Sequence, residues 1–485
     1  MSIDKFHRII LVIALAVYCI TAYNSHGYIQ EDEHYQIIEF AQLKLGLTQP
    51  QQLPWEFHQQ MRSAFQPGIA YTIFSICKLF STTDPYILAF ILRFLTALLA
   101  ISIITQFVRS TLNLIEERYQ KVYIAASYLF WFLPFINVRF SSEAWSGIFF
   151  LLAIAIALRN RPQYVLTGIF LGISFLCRFQ SAILSISLFI WLALIKKESA
   201  TNILKIFSGA VIIFLLGIMI DRWFYGNFTF TSWNYFYNTI LDDTTKDFGH
   251  SKLYAYIKVI LVRPSILIGL PLIFSLLILF IKDRRNLFLW IAVPFIIIHS
   301  FIPHKEYRFL FPLMNFIPII IIMGIQLLKI KQSRTVSIIV NTILIISFMA
   351  NAIILIGVAT RAADGRVAIS KYLHKNYSDK PIKVFYTYWS DYFTPEIPAN
   401  FYKEKNVELV RVSSIQDITT APADTTKINF VVLRKNGMDS YIESDQLTKL
   451  GYKKEMQSLP VWIEKWGIPT KLVFKNEILE LYQKK

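Results

Sequence analysis

"YILAFILRFLTALLAISIITQF", residues 86–107, carries one charged side chain in twenty-two positions. Coiled as a helix it covers ~33 Å, and the hydrocarbon core of a bilayer is about 30 Å thick. Comparable apolar runs occupy 204–220, 264–281, 309–328 and 335–358. Of the 485 residues, 55 % are hydrophobic and 17 % charged, so these runs are the rule along the chain and not an exception. The expected class is an all-α polytopic membrane protein. The opening, "MSIDKFHRIILVIALAVYCITAY", sets basic residues before an apolar run as a signal peptide does. No small-residue cleavage site follows it, so it reads as an uncleaved first helix. Cys19, Cys77 and Cys177 lie in or beside apolar segments at wide spacing and suggest neither a disulfide framework nor a metal site.

Working outward gives eleven expected spans: 8–24, 86–107, 122–137, 142–158, 164–177, 181–195, 204–220, 264–281, 287–302, 309–328 and 335–358. The connections alternate in character. One set is short and basic: Lys5 and Arg8; Arg109, Arg118 and Lys121; Arg159 and Arg161; Lys196, Lys197 and Lys205; Lys282, Arg284 and Arg285; Lys329, Lys331 and Arg334. Excess Lys and Arg near span ends marks the cytoplasmic side. Much of the formal +17 charge is therefore a topology signal, and nucleic acid is not an expected partner. The alternation holds only if 66–80, "QPGIAYTIFSICKLF", does not cross the bilayer. It is read as a re-entrant or interfacial helix in a first outer loop covering 25–85. Residues 1–360 then form a transmembrane domain. The segment 361–485, with strand-like runs such as "KVFYTYW" and "INFVVLR", is expected to be a small α/β extracytoplasmic domain.

The other set of connections holds the unusual residues. "QEDEHYQIIEFAQL", 30–43, would set Asp32, Gln36 and Glu39 along one polar helix face, with Glu33 beside Asp32. A carboxylate where a loop meets the membrane suits a general base toward a sugar hydroxyl, although acidic first turns also occur for the helix dipole alone. "VRFSSEAW", 138–145, puts Arg139 and Glu143 at i, i+4, either as an interfacial ion pair or as a second polar wall of the same cavity. Arg178 in "LCRFQS" reads, taken alone, as a snorkelling residue. Arg93 is eight residues into its span, ~12 Å deep, where a guanidinium needs a partner or a wet cavity. A lipid-linked phosphate would suit it. "DRWFYGNFTFTSWNYFYNTI", 221–240, mixes an interfacial aromatic belt with residues that suit a carbohydrate site. Finally, "FIPHKEYRFLFPL", 301–313, crowds His304, Lys305, Glu306, Tyr307 and Arg308 between two apolar runs. With the alternation fixed, all these clusters fall on one side of the bilayer, which describes an active site at the membrane surface. No Walker or Rossmann glycine pattern implies a nucleotide. Asp32 and Glu33 offer a divalent cation two adjacent carboxylates, a pattern too common to assign a metal.

"HKEYRFLFP", 304–312, resembles the His-Lys-Glu-x-Arg-Phe motif of the glycosyltransferase family 22 mannosyltransferases, which act on GPI and dolichol-linked glycans. The first loop is similar to that family's through Asp32, Glu33, Tyr35, Gln36 and Glu39, and 221–240 through Asp221, Tyr225, Gly226, Asn234, Tyr235 and Asn238. The second outer loop departs from the family pattern, with Glu143 at or near an expected Asn. The resemblance covers roughly 25–315. It implies a GT-C fold, a polyprenyl- or dolichyl-phosphate mannose donor, a glycan or glycolipid acceptor, and Asp32 as catalytic base. The remaining residues named above would line the substrate site. Two rival readings are a GT-C transferase of another lipid-linked sugar and a transporter or flippase for a lipid-linked glycan. A bacterial inner membrane fits the lack of paired cysteines, and an ER membrane would apply to a eukaryotic source.

Overall fold

The computed structural model describes residues 1–242, 249–329, 334–387, 399–420, 426–435, 440–468 and 478–485. Lys331 of the last basic loop, residues 243–248 of the loop after the aromatic segment, and the end of "KVFYTYW" lie outside the described residues. The chain divides into two compact units. The first comprises Met1–Ala22, Trp55–Ile69 and Leu92–Ala359; the second comprises Tyr23–Pro54, Ala70–Ile91 and Thr360–Lys485.

The first unit is helical throughout its described length apart from loops. Among the described residues of the chain, five helices are long and apolar enough to cross a membrane: Ile3–Asn24, Pro85–Leu114, Ala200–Tyr225, Tyr307–Leu327 and Val340–Ala359. Ile266–Lys282 and Leu287–Phe301 make a sixth span if counted together, though they are bent by 117°. Ser142–Ala157, Tyr164–Cys177 and Phe179–Ile195 are apolar but shorter. The expected span 122–137 is two helices, Glu117–Leu129 and Phe132–Asn137. Asn351 occupies the break: its Oδ1 accepts from Trp131 N at 2.8 Å, and its Nδ2 donates to the Leu129 carbonyl at 2.8 Å. Backbone groups freed at an apolar depth need such partners, and a side-chain amide supplies both a donor and an acceptor.

Glycine sets the closest helix contacts. The Tyr164–Cys177 helix lies against Ala200–Tyr225 so tightly that a Cβ on Gly168 would fall 1.8 Å from the Ile206 carbonyl oxygen. One on Gly209 would fall 2.2 Å from the Val165 oxygen. Small residues spaced in this way let backbones approach where lipid supplies no hydrophobic drive. The Ser142–Ala157 helix is buried from Glu143 to Ala157. A Cβ on its Gly147 would sit 2.8 Å from Pro312 Cα, so the Tyr307–Phe316 segment lies directly on that helix.

The second unit is larger than the 361–485 segment suggested by composition, because first-loop residues belong to it. Among the described residues its sheet has five strands: β1 (Ile382–Thr387), β2 (Val407–Val412), β3 (Ile428–Arg434), β4 (Tyr452–Gln457) and β5 (Leu479–Lys484). Their order is β2-β1-β3-β5-β4. β1 runs parallel to β2 and β3, and β5 antiparallel to β3 and β4. Phe385, Val431, Leu433, Leu447 and Tyr482 form the core on one face. The first loop is tied to this body by backbone and side chain. Ala363 N donates to the His26 carbonyl at 2.9 Å, and Asn400 Nδ2 to Gln52 Oε1 at 3.0 Å.

His374 adds a pH-sensitive tie. Its Nδ1 lies 2.7 Å from Glu404 Oε1 and its Nε2 3.1 Å from Asp84 Oδ2. Burial opposes its charge, but the two carboxylates together outweigh that and raise its pKa above 6.5. A raised histidine contributes stability that is complete below its ordinary pKa and lost as pH rises through the folded value. The melting temperature of the detergent-solubilised protein should therefore fall as pH is raised above about 6.5. A His374→Leu variant should lose that part of the pH dependence, and an unchanged profile would show that the bridge contributes nothing.

Candidate active site

Glu143 is the centre of a buried ion cluster in the first unit. Ser141 caps the helix by accepting from Ala144 N, so the helix starts at Ser142 and Glu143 falls in its first turn. A carboxylate there is favoured by the helix dipole. Its Oε1 receives Arg178 Nη1 at 2.7 Å and Arg308 Nη1 at 3.3 Å, and its Oε2 accepts from Ser142 Oγ at 3.1 Å. Arg178 follows the end of Tyr164–Cys177, which the glycine contacts fix in place, and Arg308 opens the segment seated on Gly147. Glu143 is 3 % exposed and both arginines 7 %. Arg178 therefore does not snorkel; its charge is paired inside the bundle.

The motif loop continues the network. Glu306 takes Arg308 bidentately, Nε at 2.7 Å and Nη2 at 2.9 Å, and receives His304 Nε2 at 3.1 Å. The Phe309 ring lies 5.0 Å from the Arg178 guanidinium and 5.5 Å from that of Arg308. Lys305 Nζ donates to the carbonyls of Ser251 and Ile302 at 3.0 and 2.7 Å. Burial pulls its pKa below the ordinary lysine value. Arg178, Arg308 and Lys305 against Glu143 and Glu306 leave this region net cationic.

Asp221, Tyr225 and Asn234 are engaged with the 60–64 segment. Asp221 Oδ1 accepts from Ala64 N at 2.7 Å and from Ser63 Oγ at 3.3 Å, and its Oδ2 from Thr231 Oγ1 at 2.6 Å. Tyr225 OH donates to the Arg62 carbonyl at 2.8 Å, and Asn234 Nδ2 to that of Gln60 at 3.1 Å. These residues hold the start of the Phe65–Leu79 helix. Tyr235 joins them to the ion cluster, because its hydroxyl receives Gln180 Nε2, two residues from Arg178.

Two shared-helix expectations need correction, and Arg93 has a partner within the protein. Arg139 and Glu143 do not share a helix, because the Ser141 cap leaves Arg139 outside it; Arg139 is buried with its guanidinium 5.8 Å from the Phe135 ring. Arg93 donates from Nε to the Ala22 carbonyl at 2.8 Å, near the end of the first helix, where the helix dipole also favours a cation. Asp32, Gln36 and Glu39 do not line one helix either. Glu31–Tyr35 and Ile38–Lys44 are separate, broken at Gln36 and Ile37.

In the second unit, Glu39 is 1 % exposed and structural: it receives His34 Nε2 at 2.9 Å, Thr48 Oγ1 at 2.9 Å and Phe401 N at 3.0 Å. Gln36 is buried. Glu33 Oε2 accepts from Ile29 N at 3.1 Å. Asp32 and Glu33 are both partly exposed in the first turn of their helix, unlike the buried Gln36 and Glu39. Arg366 Nη2 reaches Glu31 at 3.7 Å and Asp364 at 3.0 Å, an anchor beside Asp32 that no sequence signal marked. Among the described residues no group of three or more His, Cys, Asp or Glu is arranged to hold a metal ion.

Residues 9–395 match the family described as Alg9-like mannosyltransferase. The chain belongs to that family. It is a glycosyltransferase and an integral membrane protein. Among solved structures it is similar to ArnT from Cupriavidus metallidurans bound to undecaprenyl phosphate, with TM-score 0.53, 10 % identity, and coverage of 99 % of this chain and 98 % of that one. The apo state of that ArnT gives TM-score 0.52 at the same identity and coverage. The Archaeoglobus fulgidus oligosaccharyltransferase in complex with Zn and sulfate is similar at TM-score 0.49 and 13 % identity, covering 91 % and 71 %. No curated protein matches the sequence. At such identities the likeness speaks to the fold, which is the GT-C fold that the motifs implied.

Replacing Glu143 with Ala strands Arg178 in the bundle without its carboxylate. Removing one partner of a buried pair costs about 3–5 kcal/mol. Glu143→Ala should lower the melting temperature markedly in detergent, and an unchanged value would contradict the pairing.

Proposed function

We propose that this protein moves a mannosyl residue from a polyprenyl- or dolichyl-phosphate donor to a glycan or glycolipid acceptor on the extracytoplasmic face. The observation that carries the proposal is the buried trio of Arg178 and Arg308 on the single carboxylate of Glu143 in a chain of the mannosyltransferase family. ArnT, similar in fold, is a protein whose structure contains undecaprenyl phosphate, a lipid phosphate of this chemical class.

In the proposed step the Asp32 carboxylate takes the proton of the acceptor hydroxyl. The freed oxygen attacks the anomeric carbon, and the bond from that carbon to the phosphate oxygen breaks. Polyprenyl phosphate leaves with the electron pair. For a β-linked donor one displacement gives an α-mannoside. A phosphate leaves readily, so cationic stabilisation of the developing charge matters more than a strong acid. Arg178, Arg308, Lys305 and His304 are the groups proposed for it. The corresponding topology has eleven membrane segments, some shorter than a full span, with the basic loops cytoplasmic in a bacterial inner membrane.

Asp32→Asn keeps the shape of the side chain and removes its basicity. General-base catalysis is worth about 10²–10⁴-fold. The variant should melt like wild type and lose at least about a hundredfold in transfer from a polyprenyl-phosphate mannose donor. Near-wild-type transfer would overturn the assignment of the base, and a product mass other than a hexose addition would overturn the sugar.

A further inference from the structure

Beside the ion cluster lies a group of polar atoms that the proposed step does not use. Arg178 Nε, Gln180 Oε1, Ser181 Oγ and Ser185 Oγ are buried without a hydrogen-bond partner, all within eight residues of sequence. His299 Nε2 is a fifth such atom. It stands on the Leu287–Phe301 helix, which lies along Ala182–Ile190, and within electrostatic reach of Arg178. Ser181 and His299 are each 1 % exposed. Buried polar atoms are nearly always satisfied, so several unsatisfied ones together ask for an explanation.

The donor and acceptor character narrows what would satisfy them. His299 Nδ1 lies 2.9 Å from the Phe295 carbonyl, which only accepts, so Nδ1 carries the hydrogen and Nε2 of the neutral ring is an acceptor. Gln180 Nε2 is committed to Tyr235, which leaves Oε1 as a second acceptor. Arg178 Nε is a donor, and the two serine hydroxyls act either way. A phosphate offers only acceptors: it could receive from the arginine and the two serines but leaves His299 Nε2 and Gln180 Oε1 without a donor. A row of hydroxyl groups, each donating and accepting, fits all five.

We propose that Ser181, Ser185 and His299, with Arg178 Nε, form a subsite for hydroxyl groups of the transferred sugar. The inference rests on the glycosyl-transfer reading above and deepens it. A sugar phosphate carries an anionic group and neighbouring hydroxyls in one molecule. Arg178 serves both: Nη1 belongs to the cation cluster through Glu143, while Nε belongs to the hydroxyl subsite. The subsite residues determine which sugar is accepted, whereas the cluster around Glu143 answers to the phosphate that every such donor shares.

The test uses purified full-length protein, a polyprenyl-phosphate mannose donor and its single-deoxy analogues. Wild type should lose at least about tenfold in kcat/KM with one or more of the deoxy donors, the scale of one lost hydrogen bond. Ser185→Ala and Ser181→Ala should each lower kcat/KM for the full donor and leave that deoxy donor unaffected, so the discrimination disappears. Their melting temperatures should equal or exceed wild type, because an unpartnered hydroxyl has been removed. Both serine variants and His299→Leu retaining wild-type discrimination against every deoxy donor would overturn the subsite. Wild type transferring no sugar from the full donor would overturn the function on which it rests.

Discussion

Glu143 holds one negative charge between two guanidinium groups at a depth where water is scarce. Neither arginine is tolerable there alone, since the cost of burying a charge is recovered only through a close, hydrogen-bonded partner. Sharing one carboxylate forces Arg178 and Arg308 onto the same point from segments far apart in sequence. The second carboxylate, Glu306, fixes the plane of Arg308 by bidentate contact and brings His304 with it. The helix start at Ser142, the end of Tyr164–Cys177 and the loop after Leu287–Phe301 are thereby drawn to one centre.

That centre depends on apolar parts of the bundle that carry no charge. Gly168 and Gly209 allow the contact that sets the height of Arg178, and Gly147 allows Pro312 to rest on the helix bearing Glu143. A methyl group at any of the three would meet backbone, which cannot move aside as a side-chain tip can. The second unit solves a parallel problem with Glu39, whose buried carboxylate is satisfied by an imidazole, a hydroxyl and a backbone amide from three separate segments. Its Asp32, by contrast, remains partly exposed.

Much of this was legible from residue types. The run at 86–107 and its counterparts gave the membrane class, "HKEYRFLFP" gave the family, and the strand-like runs near the end gave the sheet. Pairing was harder to read. Arg139 and Glu143 have ideal helical spacing, yet a serine cap two residues after Arg139 removes it from the helix, and the true partners of Glu143 lie 35 and 165 residues away. The same limit applies to Asp32, Gln36 and Glu39: periodicity cannot register a break at Gln36–Ile37, after which the Glu39 carboxylate is held by the Phe401 amide from elsewhere in the unit. Arg93 has one partner that residue spacing could not show, the Ala22 carbonyl near the end of the first helix. Asp221, Tyr225 and Asn234 carry a family pattern, and the structure shows them gripping the backbone of 60–64.

The coupling of the two charges at the centre is most directly measured by a double-mutant cycle on sugar transfer with Glu143→Gln, Arg308→Gln and the combined variant. If the pair acts as one unit, the double variant should lose no more kcat/KM for the lipid-phosphate donor than the worse single variant. The coupling energy should then lie within about 0.5–3 kcal/mol, the range found for residues in contact. Losses that simply add, to within about 0.5 kcal/mol, would mean that Glu143 and Arg308 act independently and would contradict a shared phosphate-binding centre.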